Sequence, residues 1–80
     1  MKPRNICGPT VARLRRKQGL TQEELQRRCR VAGWTVARSV LAKVETRRRA
    51  VSDYELVALA AALRVRVEKL LAQVRRKKSA

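Results

Sequence analysis

The sequence predicts an all-α fold, a compact five-helix bundle, on three observations. Apolar residues recur at helical spacing in five stretches, and no stretch reads as a strand. Two capping-box signatures, Thr21 with Glu24 and Ser52 with Glu55, each announce a helix start, flanked by the staple pairs Leu20/Leu25 and Val51/Leu56. Gly8, Gly19 and Gly33 stand singly at the boundaries between stretches. At 80 residues the chain makes one domain, and a domain of this size buries only about 60% of its unfolded surface, so the fold must be simple.

The first helix is expected over 9–18, where Pro9 suits a first helical position because the N–H it lacks would be unpaired there anyway. Val11 and Leu14 form its short apolar face, Ile6 packs just ahead of it, and Gly19 stops it. The second, over 21–29, starts at the Thr21 cap and turns Leu25 and Cys29 inward, so Cys29 reads as a small buried hydrophobe and not as a reactive thiol. Residues 30–36 read as a connection turning at Gly33. Trp34 beside it is expected to fold back as a lid on the core, the competing place for the ring being beside a phosphate backbone.

Thr35 is the expected cap of the third helix, whose inward stripe is Ala37, Val40, Leu41 and Val44. That leaves Arg38, Ser39, Ala42 and Lys43 on its outward side. A basic loop follows with Arg47, Arg48 and Arg49, then a fourth helix capped by Ser52 and turned inward at Leu56, Leu59, Ala60 and Leu63. Tyr54 in its first turn is placed equally well as a phosphate donor or half-packed on its neighbours. The fifth helix is expected over 67–74, with Leu70, Leu71 and Val74 inward. The domain then covers 6–74, and 75–80 is expected to be a basic, disordered tail. Helices this short are unstable alone, so their apolar faces must pack together.

Function classes separate on charge and on what is missing. Twenty-one Lys and Arg against six Asp and Glu give a net charge of +15, for which a polyanion is the natural partner. With 45% apolar residues the chain is no disordered basic tail. Trp34 and Tyr54 are its only aromatic residues, too few for a reader of single strands by stacking. His is absent, and Cys7 and Cys29 form no CxxC pair, so no metal site and no disulfide scaffold is expected. The acids are scattered and no glycine-rich phosphate loop occurs, so no enzyme, no cofactor and no small-molecule effector is expected. No apolar run is long enough to span a bilayer and the first twenty residues lack a signal core, which points to a cytoplasmic protein.

The second and third helices have the layout of a helix–turn–helix reader, with Arg38, Ser39 and Lys43 offered outward from the second of the pair. A helix fits the major groove, where Arg and Lys suit guanine O6 and N7 and Ser serves several bases.

The segments "VARLRRKQGLTQEEL", "VLAKVE", "LVALAAALRV" and "VEKLL" resemble the Cro/C1-type, or Xre-like, helix–turn–helix domain, with "GLTQEEL" the most specific part; the likeness covers about residues 6–72. It implies a lambda-repressor-like five-helix domain that binds double-stranded operators, usually as a dimer, in transcriptional regulation and most simply as a repressor. By that resemblance Gln22 touches phosphate and steadies the reading helix, Arg38, Ser39 and Lys43 face bases, and Arg15 pairs with Glu45 between the first and third helices. Arg47, Arg48 and Arg49, beside the reading helix, are phosphate-contact candidates. Arg13, Arg16, Arg27, Arg28 and Arg30 broaden the positive field without contacts of their own.

Several positions depart from the family pattern. The stretch from Thr21 to Glu45 is several residues longer than is common, which most simply lengthens the connection around "RVAGWTV", the alternative being a longer second helix. Arg47 and Arg64 stand where the family carries glycines, and Arg66 is a poor cap for the fifth helix. Dimerisation is expected to be weak or DNA-induced, through the fifth helices or the segment near them. The length leaves no room for a separate sensor. The alternatives are an RNA-binding or general nucleic-acid adaptor, and an antitoxin or co-regulator that engages a protein; a membrane peptide fits least, since Arg interrupts every candidate apolar face.

Overall fold

Local capping signals start two of the helices in the computed structural model, which describes residues 2–72. Among these are five helices and no strand: α1 (Gly8–Lys17), α2 (Gln22–Val31), α3 (Arg38–Glu45), α4 (Asp53–Leu63) and α5 (Val67–Leu70). Both capping boxes form. The Thr21 hydroxyl accepts from Glu24 N at 3.1 Å while the Glu24 carboxylate accepts from Thr21 N at 2.8 Å. Ser52 and Glu55 repeat the exchange at 3.2 and 3.0 Å. Each box satisfies two amides that a helix start otherwise leaves open.

The five helices close on one core. Val11 and Leu14 of α1, Leu25 and Cys29 of α2, Leu41 and Val44 of α3, Leu59 and Leu63 of α4 and Leu70 of α5 are all buried. Trp34, Leu20, Val51 and Leu56 pack against them from the rim. Burial pushes the Cys29 thiol up to about 11, so it stays protonated and inert at neutral pH. Gly8 allows a close approach of α1 to α3: a Cβ there would collide with the Val44 carbonyl oxygen at the end of α3.

The structure corrects several local expectations. Cys7, at 2% exposure, takes the inward place ahead of α1, and Ile6 is left at 39%. Helix α2 runs on to Val31, so the connection is 32–37. Thr35 does not cap α3; Ala37 occupies that position with extended backbone and no side-chain cap bond. The reason lies one residue earlier. Val36 inserts into the core from the extended segment, and this leaves Ala37 exposed instead of in the inward stripe. Helix α5 spans Val67–Leu70 with Leu71 as its C-cap, and Arg66 provides no cap bond. Positions 73–74 of its expected span, Val74 among them, and the tail 75–80 lie outside the described residues.

Arg47 and Arg64 both adopt left-handed backbone, with φ of 63° and 58°. The turns that end α3 and α4 therefore keep the glycine conformation without the glycine, each at a penalty of up to about 1 kcal/mol. Arg28 also departs from expectation. Its guanidinium donates to the Ala62 carbonyl at 3.2 Å, while Gln18 Nε2 donates to the Leu63 carbonyl at 2.7 Å. Side chains from α2 and from the C-cap of α1 thus satisfy carbonyls that the end of α4 leaves open.

Candidate nucleic-acid interface

Helix α3 packs on α1 and α2 and presents its remaining face outward. Arg38, Ser39 and Lys43 are exposed on that face, and none has a side-chain hydrogen bond among the described residues. Two inward residues, Leu41 and Val44, are fully buried, which fixes the rotation of the helix about its own axis. A slip of one position would carry a charged side chain into the core.

The far end of α3 is fastened by polar contacts. Glu45, its last residue, receives Arg15 Nε at 2.7 Å on Oε2 and Arg15 Nη2 at 3.1 Å on Oε1. Arg15 also donates to the Leu20 carbonyl at 2.9 Å, which ties the turn between α1 and α2 into the same cluster. Gln22 Nε2 adds a third bond to Glu45 Oε1 at 3.1 Å. The side chains of Arg15 and Glu45 are only 12% and 5% exposed. A two-pronged pair at that burial holds direction as well as charge. The last residue of the helix is thus fastened by polar contacts, while Arg38 and Ser39 at its start face solvent.

The basic loop after α3 divides three ways. Arg47 is half-buried and donates through Nε to the Asn5 carbonyl at 2.9 Å, while its own carbonyl accepts from Arg4 N. Arg49 spends both terminal nitrogens on the Glu55 carboxylate, at 2.9 and 3.0 Å, and lies 5.8 Å from the centre of the Trp34 ring. That pairing holds the Glu55 carboxyl below the usual carboxylate range. Arg48 alone is exposed with no side-chain partner among the described residues. Trp34 is half-buried as a lid over the core, and Tyr54 stands 87% exposed at the start of α4, not half-packed on its neighbours.

Asn5 was not singled out by the sequence reading. Its amide donates to the Val44 carbonyl at 3.1 Å and to the Arg49 carbonyl at 2.7 Å, and its oxygen accepts from Gly8 N at 2.8 Å. One side chain therefore starts α1 and shapes the loop beyond α3. An Asn three residues ahead of a helical amide is a capping signal that could have flagged the first role. The second depends on residues about forty positions away and has no local signal.

Two helices joined by the 32–37 connection, the second buried on one face and polar on the other, form a helix–turn–helix motif. The sequence profile of the helix-turn-helix family matches residues 11–70, three quarters of the chain. The chain belongs to this family. Comparison with curated proteins and with solved structures gave no significant match. Membership of the helix-turn-helix family supports a DNA-binding, regulatory role. It agrees with the five-helix, lambda-repressor-like arrangement around α2 and α3.

Proposed function

We propose that this helix-turn-helix protein is a Cro/C1-type, Xre-like reader of double-stranded DNA that regulates transcription, as a repressor, and is not an enzyme. The observation that carries the reading is the asymmetry of α3. One end is locked by Arg15, Gln22 and Glu45, and the solvent face carries Arg38, Ser39 and Lys43 with no competing partners among the described residues. Such a helix enters a major groove in a fixed rotation. Arg38 and Lys43 then reach guanine edges and Ser39 serves a neighbouring base.

Phosphate contacts orient that helix. Arg48 is the best placed, because its charge is unspent. Gln22 keeps its second amide hydrogen for a phosphate oxygen while the first steadies Glu45. Arg47 retains its terminal nitrogens for the same purpose, since only its Nε is engaged. Arg49 contributes field more than contact, its terminal nitrogens being held by Glu55. The operator is bound by a weak or DNA-induced homodimer whose reading helices lie about 34 Å apart, one turn of DNA.

Selection of duplexes from a random pool, followed by competition, tests this reading. A shared motif should emerge, and its complex should survive an excess of random duplex that strips non-specific binding. Equal competition by random duplex or by structured RNA would instead establish a general nucleic-acid adaptor. No duplex binding at moderate salt would favour a protein-directed antitoxin or co-regulator.

A further inference from the structure

Helix α4 differs from its neighbours in being apolar on nearly every side. Its inward residues are accounted for by α1, α2 and α5, yet its outward side also carries Val57, 58% exposed, and the exposed Ala61. Tyr54, 87% exposed, precedes them, and Val31 at the end of α2, 90% exposed, lines the same shallow groove as Ala61 and Arg64. Exposed apolar side chains scattered singly are ordinary; a run of them along one ridge marks a contact surface. The stripe has charged ends of opposite sign: Asp53 opens it and Arg64 closes it.

We infer that this stripe docks against the same stripe of a second copy of the chain, the two α4 helices running antiparallel about a two-fold axis. The pattern is self-complementary in that orientation alone. Asp53 faces Arg64 of the second copy, Val57 faces Ala61, and each helix start meets the other helix's end, so the helix dipoles also attract. Ala61 is small and lets Val57 of the second copy approach closely. A parallel arrangement would set Asp53 against Asp53 and Arg64 against Arg64. The described part of the fifth helix is a poorer surface, since its exposed residues are the charged Glu68 and Lys69.

Area and charge set the strength. An 11-residue helix is about 16 Å long, so the stripe covers less than the roughly 800 Å² per partner of a standard interface, and the dimer is weak. Each copy also carries +15, and that general repulsion outweighs two exposed ion pairs. Raising the salt concentration therefore strengthens the dimer while weakening any contact with DNA. The interface does not rest on the DNA-reading proposal, and its test needs no DNA.

The experiment is sedimentation equilibrium of the full chain at tens to hundreds of micromolar, in low and in high salt, paired with cysteine cross-linking under oxidised glutathione. Native Cys7 and Cys29 are buried and stay silent. The expected result is a monomer–dimer equilibrium that tightens with salt and that Val57→Asp weakens at least about tenfold, the effect of burying an unpaired charge. A mixture of Val57→Cys and Ala61→Cys chains should form the mixed disulfide faster than either variant forms its own. A monomer at every concentration and salt would overturn the inference, as would a dimer indifferent to Val57→Asp or Val57→Cys chains that cross-link best with themselves. Far-ultraviolet dichroism of each variant separates lost association from lost folding.

Discussion

Helices α3 and α4 are neighbours in sequence and opposites in construction. Helix α4 starts from its own capping box and offers apolar side chains in almost every direction. Helix α3 has no cap bond at its start, is apolar on one side only, and depends at its end on side chains from α1 and α2. One is a scaffold element, started by its own capping box and buried in the core, with Gln18 and Arg28 closing its last carbonyls. The other is a presented element, held in place by the scaffold so that its polar face can be offered to a ligand. The lesson is that the surface proposed to read DNA does not organise itself; its orientation comes from residues far from it in sequence.

The contrast breaks most visibly at Glu45. Glu45→Ala leaves the nearly buried Arg15 without its partner and should lower stability by about 3–5 kcal/mol in a denaturant melt. Hydrogen exchange would sharpen the point: α3 amides should lose more protection than the α4 amides around Leu59. Uniform loss across both helices would mean that α3 is held by packing alone. Leu59→Ala is the counterpart in α4 and should remove about 2–5 kcal/mol from the whole fold at once.

An intermediate effect comes with acid. Glu55, with its carboxyl held low by Arg49, contributes stability that is fully present above its unfolded value of about 4.3 and is lost as pH falls through the lowered folded value. Titrating thermal stability downward from neutral pH should show that loss, and Glu55→Gln should flatten it. Trp34 fluorescence, sensed beside Arg49, should change over the same pH range.

Smaller effects compare the two helix starts directly. Ser52→Ala removes the α4 cap and should destabilise by about 1 kcal/mol, whereas Ala37→Ser supplies α3 with a cap it lacks and should stabilise by a similar amount. If both substitutions were neutral by thermal melting, capping would not distinguish the helices. Smallest of all, Arg64→Gly should raise stability by up to about 1 kcal/mol, because the left-handed turn after α4 then carries no Cβ.

These contrasts also explain what could be read from the chain. Thr21, Glu24, Ser52 and Glu55 act on amides within three residues, so both starts were legible. The stripes of α3 and α4 followed from spacing, and Leu41, Val44, Leu59 and Leu63 are buried as expected. The start of α3 was misplaced because Val36 enters the core from an extended segment, and nothing local distinguishes that from Ala37 taking the inward place. Arg28, which with Gln18 closes the end of α4, reads as surface charge because its carbonyl partner lies far along the chain. The internal partners of Arg47 and Arg49 were hidden for the same reason. A run of three arginines reads as uniform, and only tertiary structure separates the one left free.

That separation allows the proposed reading helix to be tested against its surroundings. Specific and random duplex affinities of Arg38→Ala and Arg48→Ala would be measured across a salt series by fluorescence anisotropy. Arg38→Ala should lose about 1–3 kcal/mol of discrimination at one operator position while its random-duplex affinity changes far less. Arg48→Ala should weaken both duplexes alike and reduce the salt slope by about one. Equal losses on specific and random DNA for Arg38→Ala would contradict base reading by α3.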